Sequence, residues 1–354
     1  RYDTDMLGIE ARAARWAWTV ALVALGLVSV YLIRRTLLIF VAAMLVAYLL
    51  APLVGLVDRL TPRRLPKVAS LAVVYVVLLT LVGAGAAAIG NRVYQEASQL
   101  ASSIPAWLQG ADPLADLPVP AWMESWKQKV IPTLRDEIEA NAQQLVPVVG
   151  EIGKGLLALL GNVAFLVLVP ILSFLFLKDA HRIREKILEE LAGSPRRRVV
   201  EDVLGDVNVL LGQFMRALVI LAAATLVFYG VFFLAVGLPY AALLATLAGA
   251  LEFMPVVGPL SAGVVIVLVA ILSGHAHLAI WLIVFMLAYR LFQDYVLQPY
   301  LMSKGVELHP LWIIFGVLAG EQIGGVPGMF LSIPVLATLR VVYVRILKAR
   351  AAPA

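Results

Sequence analysis

Between residues 207 and 339 only seven charged side chains occur: Arg216, Glu252, Arg290, Asp294, Lys304, Glu307 and Glu321. A water-soluble domain carries roughly one charged residue in four, so this stretch is built for a solvent other than water. Lipid is the solvent that selects long uncharged runs. The whole chain agrees: 62% of its 354 residues are hydrophobic and 14% are charged. Cysteine is absent, which excludes disulfide and thiol chemistry. The basic residues sit beside the apolar runs, where they mark topology rather than nucleic-acid binding.

Residues 16–33, 36–57 and 68–90 are each long enough to cross a bilayer core, which takes about 20 helical residues. Residues 91–151 differ, with eight acidic side chains against four basic ones and six prolines. Within them, 93–103 and 122–145 have amphipathic helical patterning, and 105–120 reads as irregular loop. Trp107, Trp122 and Trp126 fit a segment lying on the membrane surface, with a small soluble cap as the alternative. A fourth span is expected at 152–177, then a charged, helix-prone connection to Asp206 in which Ser194 and Pro195 suit a cap and first helical residue. The chain thus divides into N-terminal spans (1–90), an external segment (91–151), a fourth span with its basic connection (152–206) and a core (207–354).

Placing the N-terminus in the cytoplasm puts eighteen Lys and Arg residues inside and seven outside, as the positive-inside rule requires. The Arg34–Arg35 pair, in a tight external turn, is the feature against it. Both termini are then cytoplasmic, and residues 91–151 face outward.

Two core segments are interrupted where a spanning helix would be deepest. The first carries Glu252, Phe253, Met254, Pro255, Val256, Val257, Gly258 and Pro259, and the second carries Gly324, Gly325, Val326, Pro327 and Gly328. Non-helical backbone at membrane depth persists only where protein or water satisfies it. Paired short, Gly/Pro-interrupted segments are the sequence pointer to a transporter's binding site. The expected fold is therefore an all-α polytopic membrane protein with about six full transmembrane helices. Two re-entrant hairpins (240–273 and 310–345) complete it, the first entering from outside and the second from inside. Proline-kinked ordinary spans are the alternative.

Charge buried in a membrane is a functional-site hypothesis by default. The expected solute or ion pathway comprises Glu252, Pro255, Gly258 and Pro259 at the first break, and Glu321, Gly324, Gly325, Pro327 and Gly328 at the second. Glu252 and Glu321 are the candidates to carry a coupling proton, against an interfacial or structurally paired role. Arg290 and Asp294 are four apart and can pair on one helical face. Glycines 316, 320, 324 and 328 would allow close backbone approach. His275 and His277 are two apart, a spacing that suits no helical metal motif, and neither a metal nor a cofactor is expected. No phosphate-binding Gly-Lys-Ser/Thr loop, Gly-x-Ser-x-Gly or His-Glu-x-x-His motif occurs, so no enzyme function is expected.

Three stretches carry a family resemblance: Gly212-Gln213 through Gly237-Leu238-Pro239, then Glu252 through Pro259, then Gln298-Pro299-Tyr300-Leu301-Met302-Ser303 through Leu308-His309-Pro310 and residues 324–334. Ala47 through Leu53 adds an N-terminal match. Together they resemble the AI-2E family of small-molecule exporters and ion antiporters. Val256 stands where the family usually has an aromatic residue, and Tyr300 replaces a frequent Arg. The expected supporting residues are Gln213, Arg216, Arg290, Asp294, Pro299, His309 and Pro310. The resemblance implies a homo-oligomer, with a pentamer as one arrangement, whose hairpins move as a unit in an elevator-like manner. The expected partners are the bilayer and a small polar solute, sodium ions or protons, with no nucleic acid. Three functions remain open: gradient-driven export of an autoinducer-2-like quorum-sensing solute, sodium (or lithium)/proton antiport, and a membrane scaffold or regulator without transport.

Overall fold

The computed structural model describes residues 11–60, 67–109, 167–194, 196–301 and 308–351, and among them every regular element is helical. Helices α1 (Ala11–Leu32) and α2 (Arg34–Leu60) meet at a turn at Ile33. Arg34 has local partners there: its guanidinium lies 4.0 Å from the Tyr31 ring centre and donates to the Tyr31 carbonyl at 3.1 Å. Among the described residues, six helices are long and apolar enough to cross a membrane, by length and composition. This is an all-α polytopic membrane protein.

Helix α3 (Lys67–Gln109) departs from expectation. The third span and the amphipathic helix after it are one uninterrupted element, and residues 105–109, expected as loop, are helical. Pro105 does not stop the helix. Its missing N–H costs the helix the bond to the Ala101 carbonyl, and buried Leu100 holds the extension against the core in spite of that loss. The remainder of the external segment and residues 152–166 of the fourth span lie outside the described residues. Helix α4 (Val169–Glu190) carries the end of that span and the start of the charged connection. The Ser194 hydroxyl then accepts the Arg196 N–H at 3.2 Å, capping the start of α5 (Arg196–Ala235).

Helix α5 has 40 residues, about 60 Å at 1.5 Å per residue, and the two hairpins begin from its opposite ends. At its C-terminal end the chain turns at Gly237 and enters α6 (Ala241–Leu251), which is joined by a short break to α7 (Val257–Leu272). These two arms pack on each other and on α5 through Phe233, Leu244, Ala245, Ala248, Ala262 and Ile266, all buried. A 3-10 turn (Ala276–Leu278), α8 (Ala279–Phe292), a π-turn (Gln293–Leu297) and α9 (Gln298–Leu301) lead back along the molecule.

The second hairpin is α10 (Pro310–Ala351), broken at Gly324 and Gly325. Gly325 has φ +59° and ψ −142°, a backbone open only to glycine. The arms (310–323 and 326–351) then run back to back. A Cβ added to Gly320 would collide with the Gly328 carbonyl, and one on Gly328 with the Gly320 carbonyl. The four-residue glycine spacing thus sets the closeness of two arms of one hairpin. The end of α10 returns to the start of α5, where the Arg345 guanidinium donates to Asp206 at 2.6 Å and to Asp202 at 3.1 Å.

Replacing Gly328 by leucine should separate the arms and lower the apparent thermal midpoint of the purified protein in detergent by several degrees. Gly26→Leu, on a helix surface with open space where the Cβ would go, should leave it nearly unchanged. Equal effects from the two substitutions would refute the close approach.

Candidate functional site

The first break starts as a helix end and finishes as a tight turn. Phe253 and Met254 N–H groups bond back to Ala250 and Leu251, and the Val257 N–H bonds across two residues to the Pro255 carbonyl at 2.7 Å. That makes a γ-turn centred on Val256, at φ +65° and ψ −56°. A β-branched residue is strained there, and such strain gathers at functional sites. Gly258 is buried with the Leu251 carbonyl where a side chain would go, so the returning arm can pass only as glycine. Pro255 and Pro259 flank this passage.

Glu252 ends α6 and points into a polar cluster. Its Oε1 accepts from the Gln293 side-chain amide at 2.5 Å, and its Oε2 accepts from the Thr225 hydroxyl at 3.3 Å. Thr225 also shares a 3.0 Å hydrogen bond with the Tyr289 hydroxyl. The Gln293 carbonyl oxygen receives Arg290 at 3.4 Å, and Arg290 pairs with Asp294 at 3.0 Å. Gln298 donates to the second Asp294 oxygen at 3.0 Å. Thr225, Tyr289 and Gln293 are all at least nine-tenths buried. The π-turn beginning at Gln293 helps to place it. One extra residue in a helical turn rotates the following side chains, and such turns are frequent at functional sites.

Two cavities meet at Glu252. One, of about 440 Å³, lies between the first tip and the arms of the second hairpin, with Gln213, Phe214, Arg290, Gln298, Ile313 and Pro334 in its wall. The other, of about 710 Å³, is lined by Thr225, Tyr229, Tyr289, Gln293 and the apolar face of α7. Glu252, Val256, Pro259 and Arg290 belong to both walls. The second hairpin joins the first through an edge-to-face contact of Phe253 and Phe330, ring centres 5.8 Å apart.

The structure gathers Glu252, Pro255, Pro259, Gln213 and Arg290 from the expected residues around these cavities, with Asp294 pairing behind Arg290. Glu321 is exposed at the surface and lines neither cavity, and Gly324, Gly325, Pro327 and Gly328 line neither. Gly324 instead packs at Leu38 of α2. Arg216, Pro299, His309 and Pro310 are exposed and outside both walls. Lys304 and Glu307 lie outside the described residues.

Sequence reasoning missed Thr225, Tyr289 and Gln293. Thr225 is a polar residue in an otherwise apolar run, and Tyr289 and Gln293 stand beside Arg290 and Asp294, which were the available signals. It also missed Glu96, whose carboxylate accepts the Leu243 N–H at 2.8 Å, capping the first turn of α6 from the extension of α3.

Interrupted hairpins entering from opposite ends of a long helix, with a carboxylate between two cavities, are the construction of a membrane transport protein. The AI-2E family transporter profile matches residues 20–348, and the chain belongs to that family. It is 24% identical to the candidate transport protein YueF of Bacillus subtilis over 312 residues, covering 86% of this chain and 84% of YueF. It is 24% identical to the candidate transport protein YrrI of the same organism over 322 residues, covering 90% and 89%. With the candidate permease PerM of Escherichia coli it shares 30% identity over 187 residues, 52% of either chain.

Val256→Gly should release the strain of the γ-turn, about 1–3 kcal/mol, less about 0.5–1 kcal/mol for the freer unfolded chain. The expected outcome is a raised thermal midpoint of the purified protein. A lowered midpoint would mean that packing of the Val256 side chain outweighs its backbone strain.

Proposed function

We propose that this protein is a gradient-driven secondary transporter that exports a small polar solute across the bacterial inner membrane. Autoinducer-2-like molecules are the leading class. Glu252 carries the proposal: an ionisable group held in a wall common to two cavities can exchange a proton with either. A cavity of about 440 Å³ falls within the range of roughly 300–1,000 Å³ typical of small-ligand sites. The broken first tip adds backbone groups that can hold a polar solute. Both termini are cytoplasmic on the distribution of basic residues. The protein works as a homo-oligomer, with a pentamer as the arrangement to test, and its hairpins move as a unit.

Sodium (or lithium)/proton antiport is the second reading. The pairing of the Glu252 carboxylate with the Thr225 hydroxyl favours it, since hard cations select oxygen ligands. Antiport would use the same carboxylate.

Vesicles containing the purified protein and a pH-sensitive dye separate the readings. Solute-dependent proton flux supports export, and flux on sodium or lithium addition without organic solute supports antiport. In either case Glu252→Gln should reduce the flux at least about tenfold, the change expected when a required ionisable group is lost. Flux retained in Glu252→Gln but lost in Glu321→Gln would move the coupling group to the second hairpin. Absence of flux from folded wild-type protein with cations and labelled solutes would overturn the transport reading.

A further inference from the structure

Thr225 has one hydroxyl hydrogen and two hydrogen-bonding neighbours, the Glu252 carboxylate at 3.3 Å and the Tyr289 hydroxyl at 3.0 Å. An ionised carboxylate only accepts. While Glu252 is ionised, the hydrogen of Thr225 is therefore committed to Oε2, and Thr225 in turn accepts from Tyr289. The chain of donors runs Tyr289 to Thr225 to Glu252. Thr225 is 2% exposed and Tyr289 5%, so bulk water does not compete for these groups.

A proton arriving at Oε2 reverses this order. The new acid O–H donates to Thr225, the Thr225 hydroxyl rotates to donate to the Tyr289 oxygen, and the Tyr289 hydrogen must turn elsewhere. Tyr289 lines the 710 Å³ cavity, whereas neither it nor Thr225 lines the 440 Å³ cavity. The proton leaves a hydronium ion, whose O–H bond breaks as the O–H bond at Glu252 forms, and no other covalent bond changes.

We infer that Thr225 and Tyr289 form a reversible hydrogen-bond relay through which protonation of Glu252 presents the Tyr289 hydroxyl as a donor to the larger cavity. The solute it serves bears an acceptor oxygen, a hydroxyl or a carbonyl. This rests on the proposed role of Glu252. The other groups facing Glu252 are Tyr229 from α5, whose ring lies 5.3 Å from that of Tyr289, and Arg290, Gln293 and Asp294 from α8 and the π-turn. Gln293 is held by Arg290 on its other side and keeps one donor orientation. The Thr225 and Tyr289 hydroxyls each both donate and accept, and their hydrogens rotate about the C–O bond, which leaves them able to reverse.

The test is infrared difference spectroscopy of the full-length protein in lipid nanodiscs between alkaline and acidic buffer, alongside vesicle transport. Wild type should gain a carboxylic acid band on acidification that Glu252→Gln lacks. In Thr225→Val the band should move to higher wavenumber, because the acid loses its acceptor, and Thr225→Ser should return it. Tyr289→Phe should keep the band near its wild-type position while losing the tyrosine hydroxyl change that accompanies it. Transport should fall about tenfold in Thr225→Val, as for one lost hydrogen bond near the upper end of the usual range, and recover in Thr225→Ser. A Glu252 band at the same wavenumber in wild type and Thr225→Val would overturn the relay and leave the role of Glu252 standing. Absence of any band specific to Glu252 across the pH range would sink the proton-carrying role of Glu252 and the relay with it.

Discussion

A peptide group has no hydrogen-bond partner in hydrocarbon, and an unsatisfied one costs several kcal/mol. This constraint decides where the chain may stop being helical. At the first break the lost ladder is replaced by turn bonds from Met254, Val257 and Gly258 to Leu251, Pro255 and Met254. The side chain of Glu252 is satisfied from α5 and the π-turn. At the second break the two arms cover each other, with Gly320 against Gly328, and α2 supplies Leu38 at Gly324. The two breaks draw their cover from different neighbours and meet each other through Phe253 and Phe330. The smaller cavity is what remains between the first tip and the arms of the second hairpin.

The same reasoning explains which charges can be where. Asp202, Asp206 and Arg345 pair near the start of α5, and Arg92 with Glu96 near the other end of the bundle. Between these ends a network of hydrogen-bonded polar side chains gathers around Glu252, with the buried Tyr75–Ser173 pair apart from it. Each member gives another its partner: Asp294 holds Arg290, Arg290 holds Gln293, and Gln293 holds Glu252. A cluster of this kind is affordable in an apolar region only when nearly complete.

Both hairpins were legible because glycine and proline, the residues that most weaken a helix, cluster at their breaks: Pro255, Gly258 and Pro259, then Gly324, Gly325 and Pro327. Glu252 and the Arg290–Asp294 pair were legible because charge in an apolar run is conspicuous and spacing of four is local. The partners of Glu252 were not. Thr225 lies 27 residues away and Gln293 41, and a single uncharged polar residue in an apolar helix carries no periodic signature. The unbroken course of α3 was hidden for the opposite reason. The polarity changes near residue 91 while the backbone does not, and Pro105 suggests a stop that the packing of Leu100 against the core overrides. Glu321 looked equivalent to Glu252 in sequence, each preceding a break. The two differ in the fold because α6 ends inside the bundle, whereas residue 321 lies on the outer face of its arm.

The unequal strength of the contacts around the first hairpin bears on how it could move. Its base is tied to α3 by the Glu96 carboxylate on the Leu243 N–H, a charge-assisted bond of the kind worth about 1.5–3 kcal/mol. Leu100, buried in the same cluster as Leu244 and Ile266, adds packing to that tie. Its tip meets the second hairpin through Phe253 and Phe330, an aromatic contact worth about 0.5–1.5 kcal/mol beyond its packing. The base is thus held to α3 by a charge-assisted bond and packing, and the tip to the second hairpin by an aromatic contact. A displacement that opens the smaller cavity would carry the extension of α3 along with the first hairpin. The stretch of α3 beyond residue 90 then belongs mechanically with the core rather than with the three spans that precede it in sequence.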